Sequence, residues 1–343
     1  MQPPIPRVEP RLPGYLLVPL AGGWSAETFL ATPAAGGDGA DGAHAGEPLV
    51  VRYFAGARHA PDAAGIQAAL LGRVRDALPV PAVRQVHNAD DGSPGLLVME
   101  LLPGELGSLV LARLVEDRRR ADRRHRRREA DERLRSLGRS LGRVAGTLAA
   151  TPLPRSGLFA DAALRIEPFD LRLPDWVDTH AAGLVASGWS DGEVTGLREV
   201  AKRAVVDLEG APACLVHSDL NPKNVLVDPE TLQVTGVLDW EFAHAGHPAT
   251  DLGNLLRFDR EPAYVEGLLD GWFAGQGPDA GFGIAPNRAT GSVGRRRATD
   301  LARAADLVAL VELAARATEN PVVHQARAHL RAVARTGDVH ATP

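Results

Sequence analysis

Within this 343-residue chain, the run Leu215-Val216-His217-Ser218-Asp219-Leu220-Asn221-Pro222-Lys223-Asn224-Val225-Leu226-Val227 holds the residue types and spacing best suited to chemistry. Val237-Leu238-Asp239-Trp240 follows one turn later. The pattern His-x-Asp-Leu-x-x-x-Asn, with a second Asp downstream, suits phosphoryl transfer. In that reaction the protein does little covalent work. It aligns a hydroxyl with the γ-phosphate and neutralises charge on the transferring oxygens. A carboxylate near the hydroxyl, here Asp219, suits the first task, and a side-chain amide and a carboxylate, here Asn224 and Asp239, suit magnesium, which prefers hard oxygen donors alongside phosphates.

These side chains need a scaffold that brings them together. Asn224 to Val227 predicts a short apolar strand, Asp228-Pro229-Glu230-Thr231 a turn, and Val234 to Leu238 the returning strand, which puts Asn224 beside Asp239. No GxxxxGK[ST] sequence occurs, which argues against a P-loop nucleotide site.

His217 to Asn224, then Val234-Thr235-Gly236-Val237-Leu238-Asp239-Trp240-Glu241, then His247-Pro248-Ala249-Thr250-Asp251-Leu252 together resemble the aminoglycoside phosphotransferase and choline kinase-like family. The resemblance is dense from Cys214 to Phe258, looser over Gly14 to Glu105, and thin elsewhere. It implies an α+β, bilobal protein-kinase-like fold, with a small N-terminal antiparallel-sheet lobe and a larger, mainly helical C-terminal lobe. The expected organisation is a nucleotide-binding lobe over 1–100, a hinge over 101–106, and a catalytic and acceptor-binding lobe over 107–343. The resemblance further implies Asp219 as catalytic base, Asn224 and Asp239 as magnesium ligands, and His217 and Asp251 as structural support for the catalytic loop.

In the small lobe, Tyr15 to Leu20 and Ala21 to Leu30 read as strand, glycine turn and strand. The amides of Gly22, Gly23 and Ser25 could approach phosphates there. Residues 33–47 are mostly Gly, Ala and Asp and are expected to be a disordered insertion. The strand Pro48 to Phe54 carries Arg52 where kinases place a phosphate-gripping lysine. The only lysines, Lys202 and Lys223, lie beyond this lobe. A guanidinium fork can also bind phosphate. A helix is expected near Asp62 to Ala77, with Gln67 where the family usually has a Glu partner for the basic residue. Leu96 to Gly104 resembles a hinge strand whose backbone groups from Glu100 to Leu102 would read the adenine edge.

Further along, Arg118 to Arg135 reads as an exposed helix with acids four residues ahead of arginines: Glu116 and Arg120, Asp122 and Arg126, Glu129 and Arg133, Asp131 and Arg135. The apolar stripe Leu134, Leu137, Leu141, Val144 and Leu148 continues it. Ser190-Asp191-Gly192-Glu193 is a capping box opening a helix toward Leu208, and Thr299 or Asp300 is expected to cap a helix running to Ala317. Gly275 to Gly294 reads as a loop. His217, His244 and His247 lack the further ligands a zinc site needs. Glu241, Asp259, Glu261, Glu266 and Asp270 could line an acceptor pocket or solvate helices, with Glu241 and Asp259 the foremost candidates.

Composition agrees with an enzyme of this class. The net charge of −5 gives no general attraction to nucleic acid, and no apolar stretch is long enough to span a bilayer. The start shows no secretory leader. The single cysteine, Cys214, excludes an internal disulfide framework and points to the reducing cytoplasm. Together these features predict a cytoplasmic phosphotransferase using ATP, with GTP left open, and magnesium, acting on a small-molecule hydroxyl. The acceptor is an aminoglycoside-like antibiotic or an amino-alcohol or sugar metabolite; oligomeric state is not legible. The competing class is a catalytically weak nucleotide-binding scaffold that recruits a partner through the arginine helix.

Overall fold

The computed structural model describes residues 12, 14–20, 28–34, 46–55, 59–90, 93–169, 172–277 and 292–343. The glycine turn with Gly22, Gly23 and Ser25 lies outside the described residues, as does most of the 33–47 insertion. The chain divides into two compact units. The first comprises Met1–Leu102 with Ala160–Arg165, and the second Pro103–Phe159 with Ile166–Pro343.

The first unit is a five-stranded antiparallel sheet. Its strands β1 (Tyr15–Pro19), β2 (Thr28–Pro33), β3 (Leu49–Phe54), β4 (Val83–His87) and β5 (Gly95–Glu100) lie in the order β1-β2-β3-β5-β4. Alternation along β3 explains its burial on both faces. Leu49, Val51 and Tyr53 join Ala31, Leu96 and Val98 in one core, while Arg52 and Phe54 stand on the other face. Helix α1 (Ala63–Val74) covers that second face. A Cβ on Gly95, the partner of Phe54 in β3, would meet Phe54 Cβ at 3.2 Å and Ala64 Cβ of α1 at 3.5 Å. Asp62 makes no side-chain cap to α1. Asn88 does this instead, its Oδ1 accepting from Gly65 N–H at 2.8 Å while its Nδ2 donates to Asp62 Oδ1 at 2.8 Å.

The second unit begins with β6 (Glu105–Leu106), α2 (Gly107–Arg120) and α3 (Arg124–Ala149). β7 (Leu158–Phe159) and β8 (Ile166–Glu167) form a small hairpin. After α4 (Leu173–Ala186) and α5 (Asp191–Leu208) come β9 (Cys214–Val216), a 3-10 turn at Pro222–Asn224, β10 (Val225–Val227), β11 (Val234–Val237) and β12 (His244–Gly246). Helices α6 (Thr250–Leu256), α7 (Pro262–Gly275), α8 (Ser292–Ala315) and α9 (Pro321–Thr336) complete the described residues. The expected hairpin forms: β10 lies between β11 and β6, with Asp228 Oδ1 accepting from Glu230 and Thr231 amides at 2.9 Å to shape the turn. Among the described residues no helix is long and apolar enough to cross a membrane.

Helices α3 and α7 run parallel with their backbones in contact. Gly138, Gly142 and Gly146 face the Tyr264, Leu268 and Trp272 carbonyls at a constant offset, and Gly267, Gly271 and Gly275 reciprocally face those of Arg135, Arg139 and Arg143. A Cβ on Gly142 would stand 2.1 Å from Leu268 O, so only glycine permits the approach. Separately, α4, α5, α8 and α9 bury a second core that includes Val177, Leu184, Leu197, Val311 and Leu330.

Several local expectations change. The arginine run is not one helix, because α2 ends at Arg120 and α3 starts at Arg124 with extended backbone at Ala121 and Arg123. Of the proposed pairs, Glu116 with Arg120 forms at 2.8 Å. Asp131 instead takes Arg118 across the break, and Arg135 bridges Glu132 and Glu266, both at 2.9 Å. The Ser190 capping box forms in full. Thr299 and Asp300 do not cap a helix: α8 starts at Ser292, placing Thr299 inside it with its hydroxyl donating to Arg295 O at 2.9 Å. Gly275 and Gly294 lie in α7 and α8, so the loop read between them is shorter; residues 278–291 lie outside the described residues.

Candidate active site

The segment from His217 to Asn224 links the buried strand β9 to the 3-10 turn, and backbone-to-side-chain bonds hold it. Asp251, in the first turn of α6, accepts from the His217 amide through Oδ2 and from the Ser218 amide through Oδ1, each at 2.9 Å. This two-pronged grip fixes a turn in which Ser218 has a φ of 67°, a left-handed conformation that L residues rarely adopt. Burial pushes the Asp251 carboxyl up, opposed by His217 and by the two amide hydrogen bonds.

His217 is fully buried and is a structural centre. Its Nε2 donates to Leu238 O at 2.8 Å, because a carbonyl can only accept, and Nδ1 therefore accepts from the Asp219 amide at 3.3 Å. The ring packs on Trp240 with centroids 4.9 Å apart, and Trp240 Nε1 donates to Val237 O at 3.1 Å. One imidazole thus ties the loop to the segment that carries Asp239.

The Asp219 carboxylate is clasped by two amides. Asn221 Nδ2 donates to its Oδ1 at 2.8 Å and Asn224 Nδ2 to its Oδ2 at 2.7 Å. Lys223 Nζ lies 3.4 Å from the same Oδ2. Leu238 N–H donates to Asn224 O at 2.8 Å, so the hairpin brings Asn224 next to the Asp239 segment as expected. Asp239 has a φ of 62°, a second strained position in the same site.

The donor set fits magnesium. Asn224 spends its Nδ2 on Asp219, which leaves the hard Oδ1 for a cation, and Asp239 adds a carboxylate. No group of three or more His, Cys, Asp or Glu suited to a metal occurs among the described residues. The histidine trio has other engagements: His244 Nδ1 bonds Phe242 O at 3.0 Å and His247 Nδ1 accepts from the Ala249 amide at 3.1 Å.

Sequence reasoning missed the support beneath the loop. Asn254, one turn after Asp251 on α6, accepts from the Leu220 amide at 3.2 Å and donates to Asp306 Oδ1 of α8 at 3.0 Å. Arg257 Nη2 pairs with Asp306 at 2.6 Å, both side chains being almost wholly buried. The i, i+3 spacing of Asp251 and Asn254 was the signal available. Among the candidate acceptor acids, Glu266 pairs with Arg135 and Asp270 with Arg295, so both serve helix packing. Asp259 lies half-buried, and desolvation raises its carboxyl to about 6; Glu241 is also half-buried.

In the first unit, Arg52 is buried rather than on a solvated face, its guanidinium carbon 5.4 Å from the Phe54 ring centroid. Gln67 of α1 is buried as well. Glu100 N–H donates to Ala82 O at 3.0 Å.

Residues 17–283 match the phosphotransferase enzyme family, and the chain belongs to that family. Its fold is that of solved protein-kinase-like phosphotransferases. The GDP complex of aminoglycoside 2'-phosphotransferase-IIIa aligns with a TM-score of 0.59 at 16% identity, covering 96% of this chain and 95% of that one. Choline kinase LicA from Streptococcus pneumoniae aligns at 0.52 and 12% identity, covering 92% and 91%. A thermostable mutant of aminoglycoside phosphotransferase APH(4)-Ia, solved with ADP and hygromycin B, aligns at 0.52 and 18%, covering 94% of each chain. A stretch of 45 residues is 47% identical to Acyl-CoA dehydrogenase family member 11 of Mus musculus. It spans 13% of this chain and only 6% of that protein's length.

Proposed function

We propose that the chain is a cytoplasmic, ATP- and magnesium-dependent kinase that transfers the γ-phosphoryl group to a hydroxyl of a small molecule. The observation that carries this reading is the Asp219 carboxylate held between Asn221 and Asn224 in a loop pinned by Asp251. A carboxylate fixed by two amides is oriented before substrate arrives, so it can accept the hydroxyl proton as the oxygen attacks phosphorus. Lys223, beside it, adds positive charge where the transferring group would accumulate negative charge.

Asn224 Oδ1 and the Asp239 carboxylate would hold magnesium, which when bound neutralises phosphate charge. Arg52 is the basic strand residue assigned to the nucleotide phosphates, with Gly22, Gly23 and Ser25 assigned as the second contact. Glu100 and Leu102 are assigned to the base by their backbone groups, and Glu241 and Asp259 to the acceptor. His217 and Asp251 are positioning residues. The scaffold alternative loses ground on the arginine run, where Arg118, Arg120 and Arg135 are engaged by acids of the same chain.

Measuring ADP release with magnesium across amino sugars, amino alcohols and neutral sugars tests the reading. Acceptor-dependent release that disappears in Asp219→Asn supports it. Absence of release with every acceptor, alongside tight nucleotide binding, would favour the scaffold.

A further inference from the structure

The peptide unit between Asp219 and Leu220 is held at both ends. Its carbonyl, Asp219 O, accepts from the Asn221 amide and from Asn224 Nδ2, each at 2.9 Å. Its N–H, that of Leu220, donates to Asn254 Oδ1 at 3.2 Å. A peptide unit moves as one plane, so a turn of this one would swing the Cα that carries the Asp219 carboxylate. Whatever holds Asn254 therefore also holds Asp219.

An asparagine side chain can take two orientations that exchange its oxygen with its nitrogen, and only one of them offers an acceptor to Leu220. Asp306 of α8 selects that one from the far side. Its Oδ1 accepts from Asn254 Nδ2 at 3.0 Å, which turns Asn254 Oδ1 toward the loop. Arg257 braces the same carboxylate, Nε lying 3.0 Å from both oxygens and Nη2 2.6 Å from Oδ1. Helix α6 is pressed onto α8 beside this chain: a Cβ on Gly253 would stand 2.2 Å from Ala302 O and 3.0 Å from Asp306 Cβ. Asn254, Arg257 and Asp306 are all buried. A buried ion pair contributes no more to folding than well-packed apolar residues of the same volume, so stability alone does not account for a charged pair here.

We propose that Asp306, braced by Arg257, is a positioning residue for phosphoryl transfer: it orients Asn254, which fixes the Asp219–Leu220 peptide and with it the carboxylate that meets the hydroxyl. Its effect on turnover rests on the kinase reading above, whereas its effect on the loop rests on the hydrogen-bond chain alone.

The test reverses the polarity of the chain. Asn254→Asp sets two carboxylates face to face, and Asp306→Asn offers a donor to one of the donors it faces. The double variant restores complementarity, because the carboxylate at position 254 accepts from Leu220 and from the amide at position 306, whose oxygen serves Arg257. Each single variant should lower kcat by about tenfold while both KM values stay within about twofold, the mark of lost alignment rather than lost binding. Hydrogen exchange at the Leu220 amide should quicken by about tenfold. Exchange at the Leu215 amide, bonded to Thr151 O outside the loop, reports the fold as a whole and should change less. The double variant should recover most of both losses. Should a single variant prove too unstable to purify, Arg257→Lys, which retains the charge and gives up the fork, carries the comparison and should show the same split at about threefold. Unchanged Leu220 exchange, full turnover in the single variants of an active parent, or a double variant no better than either single overturns the proposal. The expected exchange pattern in a chain that releases no ADP with any acceptor would leave the positioning of the loop standing and count against the kinase reading instead.

Discussion

Asn224 Nδ2 donates to Asp219 Oδ2 at 2.7 Å, so the side chain whose carbonyl oxygen is left for a cation also holds the proposed base. In the proposed reading, metal and base would therefore be linked through one amide plane. Asp219→Asn should lower turnover by about 100-fold or more, the scale of a positioned base, with nucleotide affinity nearly unchanged. Lys223→Met should lower turnover by about tenfold with melting temperature unchanged, since an exposed ion pair contributes little stability. Steady-state kinetics beside a melting curve check both, and full turnover in Asp219→Asn would remove it from the chemistry.

Asp239 and Asp251 have opposite consequences despite their common residue type. Asp239→Ala should abolish the tightening of ATP binding by magnesium. Asp251→Ala leaves two buried amides without an acceptor and should destabilise the fold by about 2–4 kcal/mol. Calorimetry with and without magnesium, and chemical denaturation, separate them; equal effects on metal dependence would refute the division.

Arg52→Ala should weaken ATP binding by roughly 2–4 kcal/mol, with Arg52→Lys recovering only part, because an ammonium cannot reproduce a planar fork. Gln67→Glu should leave binding the same or slightly tighter. Unchanged ATP affinity in Arg52→Ala would make Arg52 a packing residue for Phe54.

Gly142→Ala places a methyl 2.1 Å from Leu268 O, and the parallel α3 and α7 must separate to admit it. A loss of about 3 kcal/mol or more is expected, at the upper end for overpacking. Gly72→Ala, in α1 with open space around its Cβ position, should instead stabilise by about 0.5–1 kcal/mol. Urea denaturation of the pair would read the contrast directly.

Acid should destabilise the protein between pH 6.5 and 4. Burial lowers His247 and His329 from 6.5 to about 4, so the unfolded chain takes up protons first and stability present above 6.5 is lost as pH falls. Asp259, raised to about 6, opposes this, because the folded state protonates first, as do Asp251 and Asp306, which burial also raises, while His244, lowered by burial, adds to the loss. His247→Asn, which can still accept from the Ala249 amide, should reduce the loss seen in denaturation at pH 7 and pH 5. An unchanged pH dependence would mean that His247 stays hydrated.

The loop from His217 to Asn224, the hairpin returning to Asp239, and the capping box at Ser190 were all legible in sequence because each depends on neighbours a few residues apart. Local order fixes such features: turn residues, short apolar runs and caps act within one or two turns of backbone. The two-pronged role of Asp251, the Asn254–Asp306–Arg257 chain beneath the loop, and the parallel contact of α3 with α7 were decided only by tertiary structure. Asn254 and Asp306 are separated by 52 positions, and Gly142 meets Leu268 across an even longer stretch. No periodicity in either segment encodes its partner. The helix breaks after Arg120 although its charge pattern continues, because exposed ion pairs contribute only tenths of a kcal/mol each, and Arg118 reaches Asp131 across the bend. Sequence determined which atoms could meet a phosphate; long-range packing decided which of them are held still.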